Sequence, residues 1–206
     1  MTDPTLILAF ALAAFAIELT PGPNMAYLAL LSVDRGRLPG LYAVAGVASG
    51  LSVLAAIALF GFGALITEYS WIYETLRWAG IGYLLWLALD AYLTSRKPLE
   101  ETPDVATGFR YFLRGFITNL LNPKALLFYL TVMPSFVAVE ARYLAEATVL
   151  SIVYVVVATG VHFGVVVLAG TAQPVLSSAQ ARRRLGIVFA LLLVGVAVWV
   201  FFGTAR

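Results

Sequence analysis

Two charged side chains stand in stretches of sequence that otherwise carry almost none. Glu18 just precedes the run Thr20-Pro21-Gly22-Pro23-Asn24, and Lys124 closes the run Asn119-Leu120-Leu121-Asn122-Pro123-Lys124. Proline removes a backbone donor and clashes with the turn before it, and the residue preceding it is pushed out of the α region, so each run should unwind about one turn of helix. In apolar surroundings the freed backbone groups are tolerated only where protein or a wet cavity satisfies them, so both breaks should face inward. Half-helices starting near Asn24 and Lys124 present N–H groups and positive dipole ends, which suit an anion. Half-helices ending near Leu19 and Asn119 present carbonyls, which suit a cation. With Glu18 on the carbonyl side of one break and Lys124 on the donor side of the other, such a site fits a zwitterion.

Each of these residues has a plainer role as well. Glu18 and Lys124 either neutralise each other and staple two parts of the chain, or contact a substrate or coupling ion directly. The two are compatible, since a buried carboxylate can lose its partner and take up a proton. Thr20, Asn24, Asn119 and Asn122 either cap the half-helix ends or touch the ligand. Pro21, Gly22, Pro23 and Pro123 supply the unwound backbone. His162, the only histidine, is either a proton relay on the fifth span or a ring hydrogen-bonded to a neighbouring helix. Asp34 and Asp90 lie near the ends of apolar stretches, where pairing with Arg35, Arg96 or Arg110 accounts for them.

The elements that must hold these residues are membrane helices. The chain has 206 residues, 62% hydrophobic and 12% charged, with a mean hydropathy of +0.94, against about 25% charged in ordinary globular domains. Six apolar blocks, at about 4–33, 41–66, 76–93, 109–139, 147–168 and 185–202, are long enough for crossings of about 20 residues each. The first has no basic leader and runs past Ala16 into the proline motif, so it is expected to be retained rather than cleaved. Of the connections, only 94–107, with Pro98 and Pro103, reads as a solvated linker. It separates one repeat at about 1–94 from a second at about 108–206, within a single transmembrane domain covering 1–206.

Basic residues orient the spans. Arg35, Arg37, Arg96, Lys97, Arg110, Arg114, Arg182, Arg183 and Arg184 fall on one side, against Arg77, Arg142 and Arg206 on the other, so the richer side is cytoplasmic and both termini lie outside. Three spans per half force the second half to enter the membrane upside down, an all-α architecture of two inverted three-helix repeats whose first helices are broken. At a shift of 100 positions Ile17 meets Ile117, Pro23 meets Pro123 and Leu30 meets Leu130. With a helical rise of about 1.5 Å per residue, the breaks lie about 24 Å and about 18 Å from opposite edges of a slab about 40 Å thick, hence at matching depth.

Other features fit the same picture. Gly36, Gly40, Gly46 and Gly50, and also Gly61, Gly63, Gly80 and Gly82, suggest close helix approach. Trp71, Tyr73, Trp78, Trp199 and Phe201 read as interfacial anchors. Zero cysteines exclude disulfides and thiolate chemistry. One histidine and no carboxylate cluster argue against a divalent-metal exporter. No Gly-x-Ser-x-Gly motif accompanies His162, so an intramembrane hydrolase is not indicated and no catalytic residue, metal or cofactor is assigned. The net charge of +2 follows membrane topology and does not call for nucleic acid. A non-transporting scaffold would leave two broken helices with buried charges unexplained.

Taken together, Thr20-Pro21-Gly22-Pro23-Asn24, the glycines at 36, 40, 46 and 50, Gly82-Tyr83-Leu84, Asn122-Pro123-Lys124-Ala125, Phe128 and Met133-Pro134-Ser135-Phe136 resemble the lysine exporter and homoserine/threonine resistance (LysE/RhtB) family, over essentially the whole chain. The resemblance implies proton-driven export of small amino acids or their derivatives across the bacterial inner membrane. Its partners would be the amino-acid substrate, protons and the lipid bilayer, with a homo-oligomer compatible. It points to Pro21, Gly22, Pro23, Asn24, Asn122, Pro123 and Lys124 as the lining of the path. Two positions depart from the family pattern: Ser135 stands where glutamine is common, and position 18 is often uncharged. Glu18 is therefore assigned from its own chemistry and not from the resemblance.

Overall fold

The structure, a computed structural model, describes residues 4–19, 22–60, 69–94, 105–137, 143–171 and 179–203. Among these every regular element is helical: α1 (Pro4–Leu19), α2 (Pro23–Arg35), α3 (Arg37–Leu59), α4 (Ser70–Thr94), α5 (Val105–Leu120), α6 (Pro123–Leu127), α7 (Tyr143–Gly170) and α8 (Ala179–Gly203). A π turn over Phe128–Val132 and a 3₁₀ turn over Met133–Phe136 continue α6. By length and composition α3 and α7 can each cross a bilayer, and the bent pairs α1/α2 and α5/α6 make up to two more such spans. In α4 the apolar stretch Trp78–Leu89 is shorter.

Both proline runs break a helix, and they do so alike. Gly22 is fully extended (φ −161°, ψ 178°) with Pro23 as the first helical residue of α2. Asn122 is likewise extended (φ −84°, ψ 107°), with Pro123 opening α6. The first helical position tolerates proline because its N–H would be unbonded anyway, and extended geometry is what the residue before proline prefers. The chain bends by 60° at the first break and 52° at the second. The turn from α2 to α3 is made by Gly36 at φ 88°, whose N–H bonds Ser32 O at 3.0 Å. Positive φ of this kind is open to glycine at little steric cost.

Packing runs mostly between the two halves of the chain, with α2 on α3 the main interface within one. The most extensive interfaces are α3 on α5, α4 on α8, α3 on α7, and α1 and α2 on α7, each joining a helix before residue 95 to one after 104. Glycine sets the closest of them. A Cβ on Gly46 would collide with the Phe112 carbonyl, and one on Gly115 with the Ala43 carbonyl, so α3 and α5 cross backbone on backbone. A Cβ on Gly40 would strike Ser32 Oγ and lie 2.7 Å from Val166 Cγ1, and one on Gly80 would press on the Leu121 carbonyl. Gly82 departs from the expected pattern: nothing lies within 4 Å of its Cβ position, and it faces outward. Gly61 and Gly63 lie outside the described residues. Trp78 and Phe201 meet edge to face at 5.6 Å across α4 and α8, and Trp71 and Trp78 are exposed.

Element bounds shift modestly from the sequence expectation. α3 begins four residues before 41, α7 extends beyond 147–168 at both ends, and α8 starts at Ala179, taking the three arginines at 182–184 into its first turns. A sequence-only boundary follows where hydrophobicity stops, whereas a helix continues until its backbone bonding ends.

Candidate functional site

The site is built on two buried stripes of fourfold spacing. On α1 the buried positions are Phe10, Ala14 and Glu18. On α7 they include Leu150, Tyr154, Ala158, His162 and Val166. Residues four apart share a helix face, so Glu18 is carried inward by the same face that buries Phe10 and Ala14. Tyr154 and His162, about 12 Å apart along α7 by helical rise, bracket the small, fully buried Ala158. Into the space between them reaches the Glu18 carboxylate. Tyr154 OH donates to Oε1 at 2.8 Å, and His162 Nε2 lies 3.3 Å from Oε2.

From the second break comes Lys124, its Nζ 3.8 Å from Glu18 Oε2. The two side chains are 13% and 6% exposed, so the pair is screened little by solvent. The lysine arm lies along the first break: a Cβ on Gly22 would stand 3.5 Å from Lys124 Cδ and 3.9 Å from Nζ, ordinary contact distances. A second bridge between the breaks joins Asn24 Nδ2 to Asn119 Oδ1 at 2.7 Å. Asn122 turns back on its own helix, its Oδ1 accepting the Lys124 N–H at 3.0 Å.

Behind the carboxylate stands an aromatic wall. Tyr154 stacks on Phe128 with centroids 3.9 Å apart and meets Tyr129 edge-on at 5.2 Å, while Phe10 packs on Phe128 and Phe136 at 5.5 and 5.3 Å. The π turn that begins at Phe128 widens the helix there, and both consecutive aromatics, Phe128 and Tyr129, contact Tyr154. Tyr129 OH and His162 Nδ1 are buried with no hydrogen-bond partner among the described residues. Such unpaired atoms are uncommon in folded proteins and mark this region as unusual.

Of the residues singled out by sequence, Glu18, Gly22, Asn24, Asn119, Asn122, Lys124 and His162 converge here. Pro23 is buried beside them, and Pro123 opens α6. Thr20 and Pro21 lie outside the described residues. Two backbone expectations are corrected. The Asn119 carbonyl accepts the Asn122 N–H at 3.0 Å, and the Lys124 N–H is capped by Asn122 at 3.0 Å, so neither is unpaired, contrary to expectation. The physical reason is that an Asn before a proline caps its own half-helix efficiently. Asp34 pairs with Arg35 at 3.0 Å, the plain role expected of it, while the Asp90 side chain lies outside the described residues.

Tyr154 and Tyr129 are the site residues that sequence reasoning missed. The i, i+8 relation of Tyr154 to His162 places both on one face of α7 and was a usable signal. For Tyr129 there was none, since its position depends on a π turn without a sequence signature. No group of three metal-ligating side chains occurs among the described residues.

Known proteins resemble this chain in sequence. Over 162 residues the chain is 27% identical to the "Homoserine/homoserine lactone efflux protein" of Salmonella typhimurium, covering 78% of this chain and 79% of that one. It is 31% identical over 137 residues to the "Threonine efflux protein" of Escherichia coli K12, covering 64% and 66%. An uncharacterized membrane protein of Bacillus subtilis, YrhP, is 23% identical over 202 residues, 93% of this chain and 96% of that one. No solved structure matches. The family described as LysE type translocator matches residues 15–203, and this chain belongs to it.

Proposed function

We propose that this protein is a secondary transporter that exports small neutral amino acids or close derivatives, of the homoserine and threonine type, across a bacterial inner membrane in exchange for protons. The observation that carries the reading is the buried Glu18–Lys124 pair, which joins two broken helices through one carboxylate and one ammonium group. Those are the same two groups that an amino acid carries. A zwitterion entering between the breaks can pair its ammonium with Glu18 and its carboxylate with Lys124, opening the internal pair without leaving either charge unpartnered. The names of the relatives above favour this substrate class.

Proton exchange follows from what is left when the substrate departs. Glu18 then either re-forms its pair with Lys124 or accepts a proton, with His162 Nε2 3.3 Å away as the group able to deliver it. Protonation removes the charge that holds the two breaks together and permits the return step. The reading places six spans in two inverted repeats, 1–94 and 108–206, joined by a cytoplasmic linker, with both termini outside. Supporting this, the packing exchanges partners between halves: α3 lies on α5 as α7 lies on α1, and the equivalent pairs α3/α7 and α4/α8 pack on each other, as a two-fold axis in the membrane plane requires.

The test is purified protein in liposomes, loaded with labelled threonine or homoserine under an imposed pH gradient. Efflux that follows the gradient and collapses with it is expected. Absence of movement of any amino acid in either direction refutes the reading. Glu18→Gln is expected to uncouple transport from pH; exchange that survives with unchanged pH dependence removes Glu18 from the coupling role.

A further inference from the structure

We propose that the Asn24–Asn119 pair is a specificity determinant that recognises a hydroxyl group on the substrate side chain. The inference rests on the amino-acid export reading and adds to it which part of the substrate is selected and by which atoms. Asn24 and Asn119 are 5% and 0% exposed, one from each proline break, and Asn24 Nδ2 donates to Asn119 Oδ1 at 2.7 Å. That bond uses one half of each carboxamide. The other halves, Asn24 Oδ1 and Asn119 Nδ2, are buried with no hydrogen-bond partner among the described residues. The pair thus presents one free acceptor and one free donor.

A ligand group that satisfies both must donate and accept at once. A carboxylate only accepts and an ammonium only donates, so neither end of an amino acid fits both atoms. An alkyl side chain satisfies neither and leaves two buried polar atoms unpaired. A hydroxyl is the smallest group that fulfils both roles, its hydrogen to Asn24 Oδ1 and a lone pair to Asn119 Nδ2. The surroundings favour a small group. On α3, a Cβ at Gly50 would lie 3.0 Å from Asn119 Nδ2 and from Asn119 Cβ, so glycine keeps that edge of the amide clear.

The pair also lies within reach of the charged groups. Asn24 is two residues beyond Gly22, at most about 7 Å along the chain, and Gly22 abuts the Lys124 arm. On the other side, Asn119 O bonds Asn122 N at 3.0 Å, and Asn122 caps Lys124. A small amino acid held at its two charged ends by Glu18 and Lys124 therefore has its side chain near this pair.

Threonine and valine differ by hydroxyl for methyl at nearly equal volume, so their ratio isolates the hydroxyl. In competition for labelled-homoserine efflux from wild-type proteoliposomes, threonine is expected to be preferred over valine on the order of 10- to 100-fold, the cost of leaving a buried polar atom unpaired when the hydroxyl is missing. Asn119→Asp keeps the oxygen that receives Asn24 and replaces the Nδ2 donor by an acceptor; it should bring the ratio to within about threefold, and the less drastic Asn119→Ser should lower it in the same direction. A folded Asn119→Asp protein that keeps the full preference overturns the assignment. So does a wild-type ratio within about threefold, a measurement that needs no variant and leaves amino-acid export standing. Wild-type protein that moves neither amino acid nor homoserine overturns the export reading and this assignment with it.

Discussion

Neutralising Glu18 and Lys124 separately and together distinguishes a structural staple from a substrate site. At 3.8 Å between Nζ and Oε2, two unit charges interact by about 4 kcal/mol at an effective dielectric near 20. Desolvation offsets part of that, so the net value of the pair is smaller than the penalty for leaving one charge buried alone, which is about 3 to 5 kcal/mol. Glu18→Gln and Lys124→Met are each expected to destabilise the protein by about 3 kcal/mol, or about 6 to 12 °C in midpoint for a chain of this size. The double variant should lie within about 2 kcal/mol of wild type where the two single losses add to about 6, giving a coupling energy of about 4 kcal/mol, somewhat above the usual range for residues in contact. The assay is thermal unfolding of the four proteins in one detergent, read by intrinsic tryptophan fluorescence, alongside threonine efflux from liposomes. If the pair binds zwitterion, the double variant regains stability but not transport. Recovery of both reduces the pair to a staple, and a coupling energy under about 0.5 kcal/mol means that the two groups do not interact.

Three further outcomes test the packing and the caps. Gly46→Ala forces a methyl against the Phe112 carbonyl and should cost about 1 to 3 kcal/mol, whereas Gly82→Ala, with nothing within 4 Å, should gain about 0.5 to 1 kcal/mol from helix propensity; the same unfolding assay reads both. Asn122→Ala removes the acceptor of the Lys124 N–H and should cost about 1 kcal/mol, visible as a lower unfolding midpoint. Tyr154→Phe keeps the stack on Phe128 and deletes the 2.8 Å bond to Glu18, so a loss of about 1.5 to 3 kcal/mol is expected in the same assay, and a Phe variant as stable as wild type argues against that bond.

The two charged residues were legible because an ionised group in an apolar run is costly enough to need a reason, and the breaks because proline acts locally on its own turn. Gly40, Gly46 and Gly50 were legible as contact points for a similar reason: the absence of a side chain is itself visible. What each glycine touches was not. Helical periodicity identifies a buried face and is silent about which helix covers it, so the alternation of partners between halves emerges only in three dimensions. The same limit hid Tyr129 and Tyr154, since an aromatic residue in an apolar span looks like ordinary core until a carboxylate is found beside its hydroxyl. In sequence Asn122 was open between cap and ligand group, and in the structure its Oδ1 caps the Lys124 N–H.

That alternation of partners has a consequence for how the chain holds together. Among the larger interfaces only α2 on α3 lies within the first half; α3 on α5, α4 on α8, and α1 and α2 on α7 all join the halves. Neither half can bury Phe10, Leu51 or Tyr154, all nearly inaccessible in the whole protein, without the other. Cutting the covalent connection should therefore matter little once the helices have met, because loop closure contributes entropy that grows only slowly with length while the interfaces remain. Residues 1–94 and 105–206 produced as two chains in one cell are expected to co-purify in a 1:1 complex that moves threonine. Either half expressed alone should be degraded or aggregate, since its apolar contact faces and the buried charge it carries lack their partners. If each half instead folds alone and the two do not associate, the interleaved packing is refuted, and the convergence of Glu18 with Lys124 and His162 falls with it, since Glu18 comes from the first half and the other two from the second.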